Sequence, residues 1–310
     1  MGQKELTMKD FADLFGIMES DLPTSSLYLI DKGDWRYEEI EGEEFKKVTS
    51  NFLERLDNRE FSFVVKGDKA RWDRGWGENL KAFKVANGQE SALSPKYIRE
   101  GLPMRLNGKF IRAVSSTFEL DWFKVFQQWI FKEYFSKHNT IVELGCGSGI
   151  NVATLAQMFP DKKIIGADWA VSSKDIVEEM HNIHGWNTEG RVFDFFNPDY
   201  SWQLEGNFAI LTIGAMEQIG TDYGDVIDWI LVKKPSLCVF IEPVIDWYNS
   251  QNFVDLLAIK AHKLRNFWQG FPERLKQLEM EGRVEIIKEK RSNFGSLVLE
   301  GYSQIIWKPI

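Results

Sequence analysis

Glycine occupies alternate positions at Gly145, Gly147 and Gly149, directly after the apolar run Ile141-Val142-Glu143-Leu144. That spacing lets the backbone turn sharply and lets a ligand lie against the main chain without meeting a Cβ. A helical pattern begins at once, over residues 151–159. Its start offers unpaired N–H groups and the positive end of a helix dipole, and together these features suit a nucleoside carrying an anionic group. Asp168 follows about 20 residues later, at the end of the short apolar run 163–167, where an acid can accept both ribose hydroxyls. Trp169 beside it offers an indole that can stack on a base. Further acids follow later apolar runs: Asp194 before Phe195, Glu217 with Gln218, and Glu242 with Asp246. Carboxylates in such places can take a proton from a hydroxyl. So can the imidazole of His262, with Arg265 three residues on along the same helical face as a holder of anions.

A dinucleotide fingerprint requires G-x-G-x-x-G. Its third glycine would fall on Ile150 or Val152, so neither frame fits. The spacing E-x-G-x-G-x-G, from Glu143 to Gly149, instead resembles the first motif of the class I S-adenosylmethionine-dependent methyltransferases. The resemblance implies S-adenosylmethionine as cofactor, contacted by Glu143, Gly145, Cys146, Gly147, Asp168, Trp169, Asp194, Phe195 and Ile213. It assigns Asp194 to the position where a carboxylate accepts the adenine amino group, and it sets the end of the fourth strand, 208–213, beside the reactive methyl. Cys146 reads as a small packing residue of the loop rather than a nucleophile.

The elements that must position these residues alternate between strand and helix from residue 141 onward. Alternation of that kind implies a doubly wound parallel sheet with helices on both faces, and ligands of such sheets bind beyond the carboxyl ends of the strands. The resemblance makes this a Rossmann-like α/β methyltransferase sheet, mostly parallel, with an antiparallel last strand. The closing strands are expected at 284–288 and 297–307, joined by a turn at 292–296. Residues 118–135 read as a buried helix leading into the first strand. The boundary falls near Ser115, dividing an N-terminal accessory, substrate-covering region (1–115) from a methyltransferase domain (116–310). Within the first region, 11–18 and 45–56 have helical spacing, 61–66 a short-strand pattern. Residues 71–80 carry Trp72 and Trp76 amid charges and glycines. This segment reads either as a loop pinned by tryptophans or as a wall of the substrate pocket, with Arg71 or Arg74 meeting an anion. Arg99, Arg105 and Arg112 raise the same alternatives.

A net charge of −8 argues against a nonspecific nucleic-acid binder, which needs a basic face. A small-molecule substrate is therefore expected, with neither nucleic acid nor membrane as partner; a homodimer stays open. Two cysteines, Cys146 and Cys238, give no disulfide framework. With no signal-like or spanning apolar run, a soluble, cytoplasmic protein is expected.

Methyl transfer from a sulfonium is an in-line displacement that depends on alignment, and an oxygen acceptor needs a base or a metal. His262, Glu217 and Glu242 are the expected catalytic groups, and Arg265, Trp72 and Trp76 the expected substrate contacts. His138, His181 and His184 lie away from the strand ends. Glu217, Glu242 and Asp246 also have the oxygen donors that Mg²⁺ prefers; no compact acidic cluster compels a metal, so Mg²⁺ stays open. Thr212-Ile213-Gly214-Ala215 stands where amino-methylating nucleic-acid enzymes carry their Pro-Pro-aromatic signature. Residues 241–243, the helix of His262 and Arg265, 291–295 and 300–309 resemble sugar O-methyltransferases of bacterial surface-polysaccharide clusters, which implies a sugar or similar hydroxylated acceptor. Two alternatives use the same scaffold: an aminopropyl transferase, and a non-catalytic protein that binds S-adenosylmethionine.

Overall fold

A computed structural model describes residues 2–60, 68–94 and 101–310. The strand pattern at 61–66 and Arg99 lie outside them. The N-terminal region forms β1 (Lys4–Glu5), α1 (Met8–Phe15), α2 (Thr24–Lys32), β2 (Arg36–Glu39), α3 (Gly42–Asp57), α4 (Lys69–Val85), β3 (Met104–Leu106) and β4 (Lys109–Ala113). Thr7 caps α1 and Asp10 answers it in a capping box, which satisfies two N–H groups that a helix start otherwise leaves bare. The long apolar helix α5 (Phe118–Phe135) then leads into the main sheet, as its spacing predicts.

From there the chain runs through β5 (Thr140–Leu144), α6 (Ile150–Met158), β6 (Lys163–Asp168), α7 (Val171–His184), β7 (Thr188–Val192), β8 (Phe208–Ile213), α8 (Gly224–Lys233), β9 (Leu237–Glu242), α9 (Phe253–Arg265), α10 (Phe271–Met280), β10 (Val284–Lys290), β11 (Phe294–Ser296) and β12 (Ser303–Pro309). Seven of these strands pair in the order β10-β12-β9-β8-β5-β6-β7. All neighbours run parallel except at β12, which is antiparallel to both β9 and β10. Strands buried on both faces read as continuous apolar runs, and β5, β8 and β9 do so. Ile141, Leu211 and Val239 join a core with α5, α6 and α7, whereas Val142, Ile210 and Phe240 pack with α8 and α10 on the opposite face. Chain order reverses between β5 and β8, which opens a crevice at their carboxyl ends.

A second sheet, β1-β2-β4-β3-β11, crosses the expected boundary at residue 115, because β11 belongs to the C-terminal hairpin. The hairpin also departs from expectation. Residues 294–296 are not a turn but a strand that pairs with Leu106 through Met104, and β12 starts only at Ser303. The physical reason is burial: Phe294 is sealed against Trp122, ring centroids 4.4 Å apart. Beneath this junction Arg105 pairs with Asp255 and, at 3.3 Å, with Glu300, while Arg291 reaches both acids at 2.7 Å. Arg105, Asp255 and Glu300 are all buried, so the ion network ties β3 to α9 and the hairpin. Among the described residues no helix is long and apolar enough to cross a membrane.

Candidate active site

The glycine loop leaves β5 with its backbone pressed against β6: the Gly145 N–H donates to the Ala167 carbonyl at 2.7 Å. Gly145 has φ +77, and a Cβ there would lie 2.3 Å from the Ala215 Cβ. Gly147 has φ +52, and a Cβ there would lie 2.9 Å from the Trp76 ring. Both positions therefore need glycine for conformation and for space. Cys146 turns its sulfur inward toward Gly166, and burial pushes its thiol well up, so only its backbone faces the loop.

Asp168 ends β6 and closes the loop from the other side. Its carboxylate accepts from the Gly147 N–H at 3.0 Å and from the Ala170 N–H at 2.9 Å. Burial raises its pKa to about 6, with the two N–H groups opposing the rise. Each carboxylate oxygen keeps lone-pair capacity beyond one bond, so a vicinal diol can still be accepted there. Glu143 sits farther back in the sheet. It accepts from Asn151 at 2.6 Å, and Asn151 in turn accepts from Gln127 at 2.7 Å. Burial lifts Glu143 to about 8, so it holds a proton at neutral pH.

Asp194 follows β7 and accepts the Phe196 N–H at 3.0 Å. Phe195 lies against the glycine loop, 3.5 Å from where a Gly145 Cβ would stand. Trp169 is half-buried, 6.2 Å from the Phe196 ring. No local pattern marks Lys69, whose ammonium pairs with Asp194 at 2.6 Å and lies 5.9 Å over the Trp169 ring.

Lys69 belongs to α4, and here the loop reading of 71–80 is corrected. Gly75 and Gly77 weaken the intrinsic preference for helix, but packing against α7 overrides it. Asp73 accepts the Ser172 N–H at 2.8 Å, and its carbonyl accepts the Ser172 hydroxyl at 2.9 Å, at the first turn of α7. Trp72 and Trp76 stack at 5.8 Å, and Trp76 covers Gly147. One face of α4 thus roofs the crevice from Asp194 to the glycine loop.

At the end of β8, Ile213 packs on the core of α5 and α6, and the chain turns through a 3-10 segment, Met216–Ile219. Glu242, expected as a base, has another task. Its two oxygens accept the N–H groups of Ala215, Met216 and Glu217 at 3.1–3.2 Å. This carboxylate fixes the turn and is fully buried. Asp246 likewise accepts the Gly270 N–H at 3.0 Å. Backbone N–H groups take these oxygens, and among the described residues no group of three or more His, Cys, Asp or Glu side chains could hold a metal.

Glu217 differs. One oxygen accepts from Gln218 at 2.6 Å; the other is buried without a hydrogen-bond partner. Burial raises its pKa to about 8, Glu242 adds to the rise, and Arg265 opposes it. The end of α9 is strapped beside it, since the Trp268 N–H donates to the Glu217 carbonyl at 3.0 Å. Arg265 stacks over Phe267 at 5.3 Å. His262, one turn earlier, does not share this surroundings. It belongs to the inward face of α9 with Val254, Leu257, Ala258 and Ala261, fully buried between Tyr248 and Phe267 at 5.5 and 5.3 Å. Burial drives its pKa down to about 3. A sealed, neutral imidazole has no route to a substrate hydroxyl, so the expectation of His262 as base is withdrawn.

No family model matches the chain. Over 72 residues it is 36% identical to a tRNA (guanine-N(7)-)-methyltransferase of Bacteroides fragilis, a match covering 21% of this chain and 29% of that enzyme. Among solved structures, it is similar to the small RNA methyltransferase HEN1 with a TM-score of 0.45 and 16% identity, over 65% of this chain and 28% of the other. It is also similar to an O-methyltransferase family 2 protein from Planctomyces limnophilus in complex with apigenin, with a TM-score of 0.40 and 12% identity, over 57% of this chain and 52% of the other. The strand order with its single reversed strand matches the doubly wound, Rossmann-like sheet that the resemblance of the glycine loop implies.

Proposed function

On this fold, we propose a methyltransferase that uses S-adenosylmethionine to methylate an oxygen of a small hydroxylated molecule, a sugar or a similar metabolite. The observation that carries the reading is the pairing of two features across one crevice. The glycine loop with Asp168 stands on one side, and on the other stands Glu217, a buried acid with one oxygen unpartnered. S-adenosylmethionine, when bound, supplies an electrophilic methyl on a sulfonium centre. The chain's own part is to hold and align. Asp168 accepts the ribose hydroxyls, Asp194 and Trp169 take the base, and the backbone of Gly145–Gly147 lies along the nucleoside. Trp72 and Trp76 wall the crevice above. Glu217, once ionised, takes the acceptor's hydroxyl proton; a base with a pKa of about 8 is matched to that task near neutral pH. Arg265 favours the ionised form and is suited to an anionic group on the acceptor.

Glu217 weighs against the aminopropyl transferase alternative. A cationic amine would have to lie beside Arg265, with Glu242 already committed to three N–H groups. The non-catalytic alternative is met by the same experiment that tests the main reading. Titration calorimetry with S-adenosylmethionine, its demethylated product S-adenosylhomocysteine, and NAD is expected to show binding of the first two only. A labelled-methyl screen against hydroxylated metabolites then reads turnover; preference for NAD would end the proposal.

A further inference from the structure

We infer that Lys69 is a built-in competitor for the cofactor: it occupies the carboxylate of Asp194 when the nucleoside is absent and is displaced when the nucleoside binds. This rests on the reading above, in which Asp194 recognises the adenine amino group. Three contacts fasten α4 over the crevice, and they fall at positions 69, 73 and 76, one face of a helix at i, i+4 and i+7. Asp73 grips the first turn of α7 through two hydrogen bonds, which do not involve any group assigned to the ligand. Trp76 rests on Gly147. Lys69 alone ends on an acid that the ligand itself needs. Its ammonium sits 2.6 Å from Asp194 and 5.9 Å over Trp169, so it spans the acid and the indole between which a base would lie.

The pair is half open to water: the Lys69 side chain is 52% exposed and that of Asp194 23%. Exposed ion pairs are weak, which is what an exchangeable contact requires. A strong pair would shut the site, whereas a weak one lowers affinity a few-fold. When the nucleoside leaves, the lysine returns and competes with rebinding while Asp73 keeps α4 in place. Lys69 is thus a residue that tunes cofactor affinity by competing with rebinding.

The test is the affinity of the full chain for S-adenosylhomocysteine, by calorimetry, in wild type, Lys69→Met, Asp194→Asn and the double variant. Lys69→Met is expected to bind about two- to five-fold more tightly, the span set by the strength of an exposed pair. In the Asp194→Asn background the same substitution is expected to change nothing. Salt gives an independent readout. Raising ionic strength screens an exposed pair, so wild-type affinity should rise toward that of Lys69→Met, whose own affinity stays flat. Equal or weaker binding by Lys69→Met, with circular dichroism showing both proteins folded, overturns the inference. Absence of binding in wild type and variant alike is a different failure, that of the methyltransferase reading itself, and the inference falls with it.

Discussion

Replacing Glu217 by Gln separates its cost to the fold from its use to the reaction. The amide is isosteric, keeps an oxygen to accept from Gln218, and sets an NH2 where the unpartnered oxygen stands. Burial raises the carboxyl from 4.5 to about 8. A raised acid favours the folded state most below its unfolded value, and that contribution is lost as pH rises from 4.5 through about 8. At about 1.4 kcal/mol per unit, the ceiling on this loss is about 5 kcal/mol; relaxation and water penetration reduce such penalties, and Arg265 offsets part, leaving about 2 kcal/mol. Glu217→Gln should therefore match wild type in melting temperature near pH 5 and exceed it near pH 9, by about 3–5 °C for a chain of this size. Activity should move oppositely. Wild-type kcat should climb through about pH 8 as the base ionises, and the Gln variant should lack that climb, falling about 100- to 10,000-fold below wild type above pH 8 and by less as pH falls. Scanning calorimetry at both pH values, beside a labelled-methyl assay, reads the two effects. A variant less stable than wild type near pH 9 would refute the reasoning, because it would mean that Glu217 is charged and net favourable in its pairing with Arg265.

Three further outcomes follow from the same geometry. Asp168→Ala should weaken S-adenosylhomocysteine binding by about 1–3 kcal/mol, the loss of hydrogen bonds to a charged acceptor; unchanged affinity by calorimetry removes Asp168 from the site. Gly145→Ala should destabilise the chain by about 1–3 kcal/mol and abolish cofactor binding. The new Cβ would stand 2.3 Å from that of Ala215, which Glu242 holds in place, and a melting temperature equal to wild type would show that the turn yields. Arg105→Met should cost about 3 kcal/mol in urea denaturation, since it leaves buried Glu300 to Arg291 and buried Asp255 to Arg291 and the Asn249 N–H; a loss under about 1 kcal/mol would mean that these partners suffice.

Much of the fold lies in local pattern, which is why it can be read from sequence. Period and glycine placement give β5, its loop and α6 without any distant partner, and α5 is evident from its apolar stripe. Where the reading failed, the deciding contact was far along the chain. Residues 294–296 look like a turn until Leu106, nearly 190 residues earlier, supplies the strand they pair with. The tryptophan segment looks like a loop until α7 is set against it, about 100 residues away. Lys69 carries no local signal, because a lysine at a helix start reads the same whether it meets solvent or Asp194. His262 and Arg265 share a helix, and only the packing of α9 decides that the first is sealed in the core.

The acids at the strand ends make the point most sharply. Glu143, Asp168, Glu217 and Glu242 are all buried at the carboxyl edge of β5, β6, β8 and β9, and in sequence each is simply an acid near an apolar run. What distinguishes them is the supply of donors. Glu242 has three backbone N–H groups, Asp168 has two, and Glu143 and Glu217 have one side-chain amide each. A buried carboxylate without donors is costly, and natural folds keep such groups rare. The sites that retain them are therefore the places to look for a ligand that completes the set. Glu143 and Glu217 both meet that condition, but Glu143 is locked behind the loop through Asn151 and Gln127. Glu217 instead follows β8, with Arg265 and the end of α9 beside it. Donor supply, which depends on where distant backbone turns expose their N–H groups, ranks the four acids, and it is the ground on which the proposed chemistry is given to Glu217.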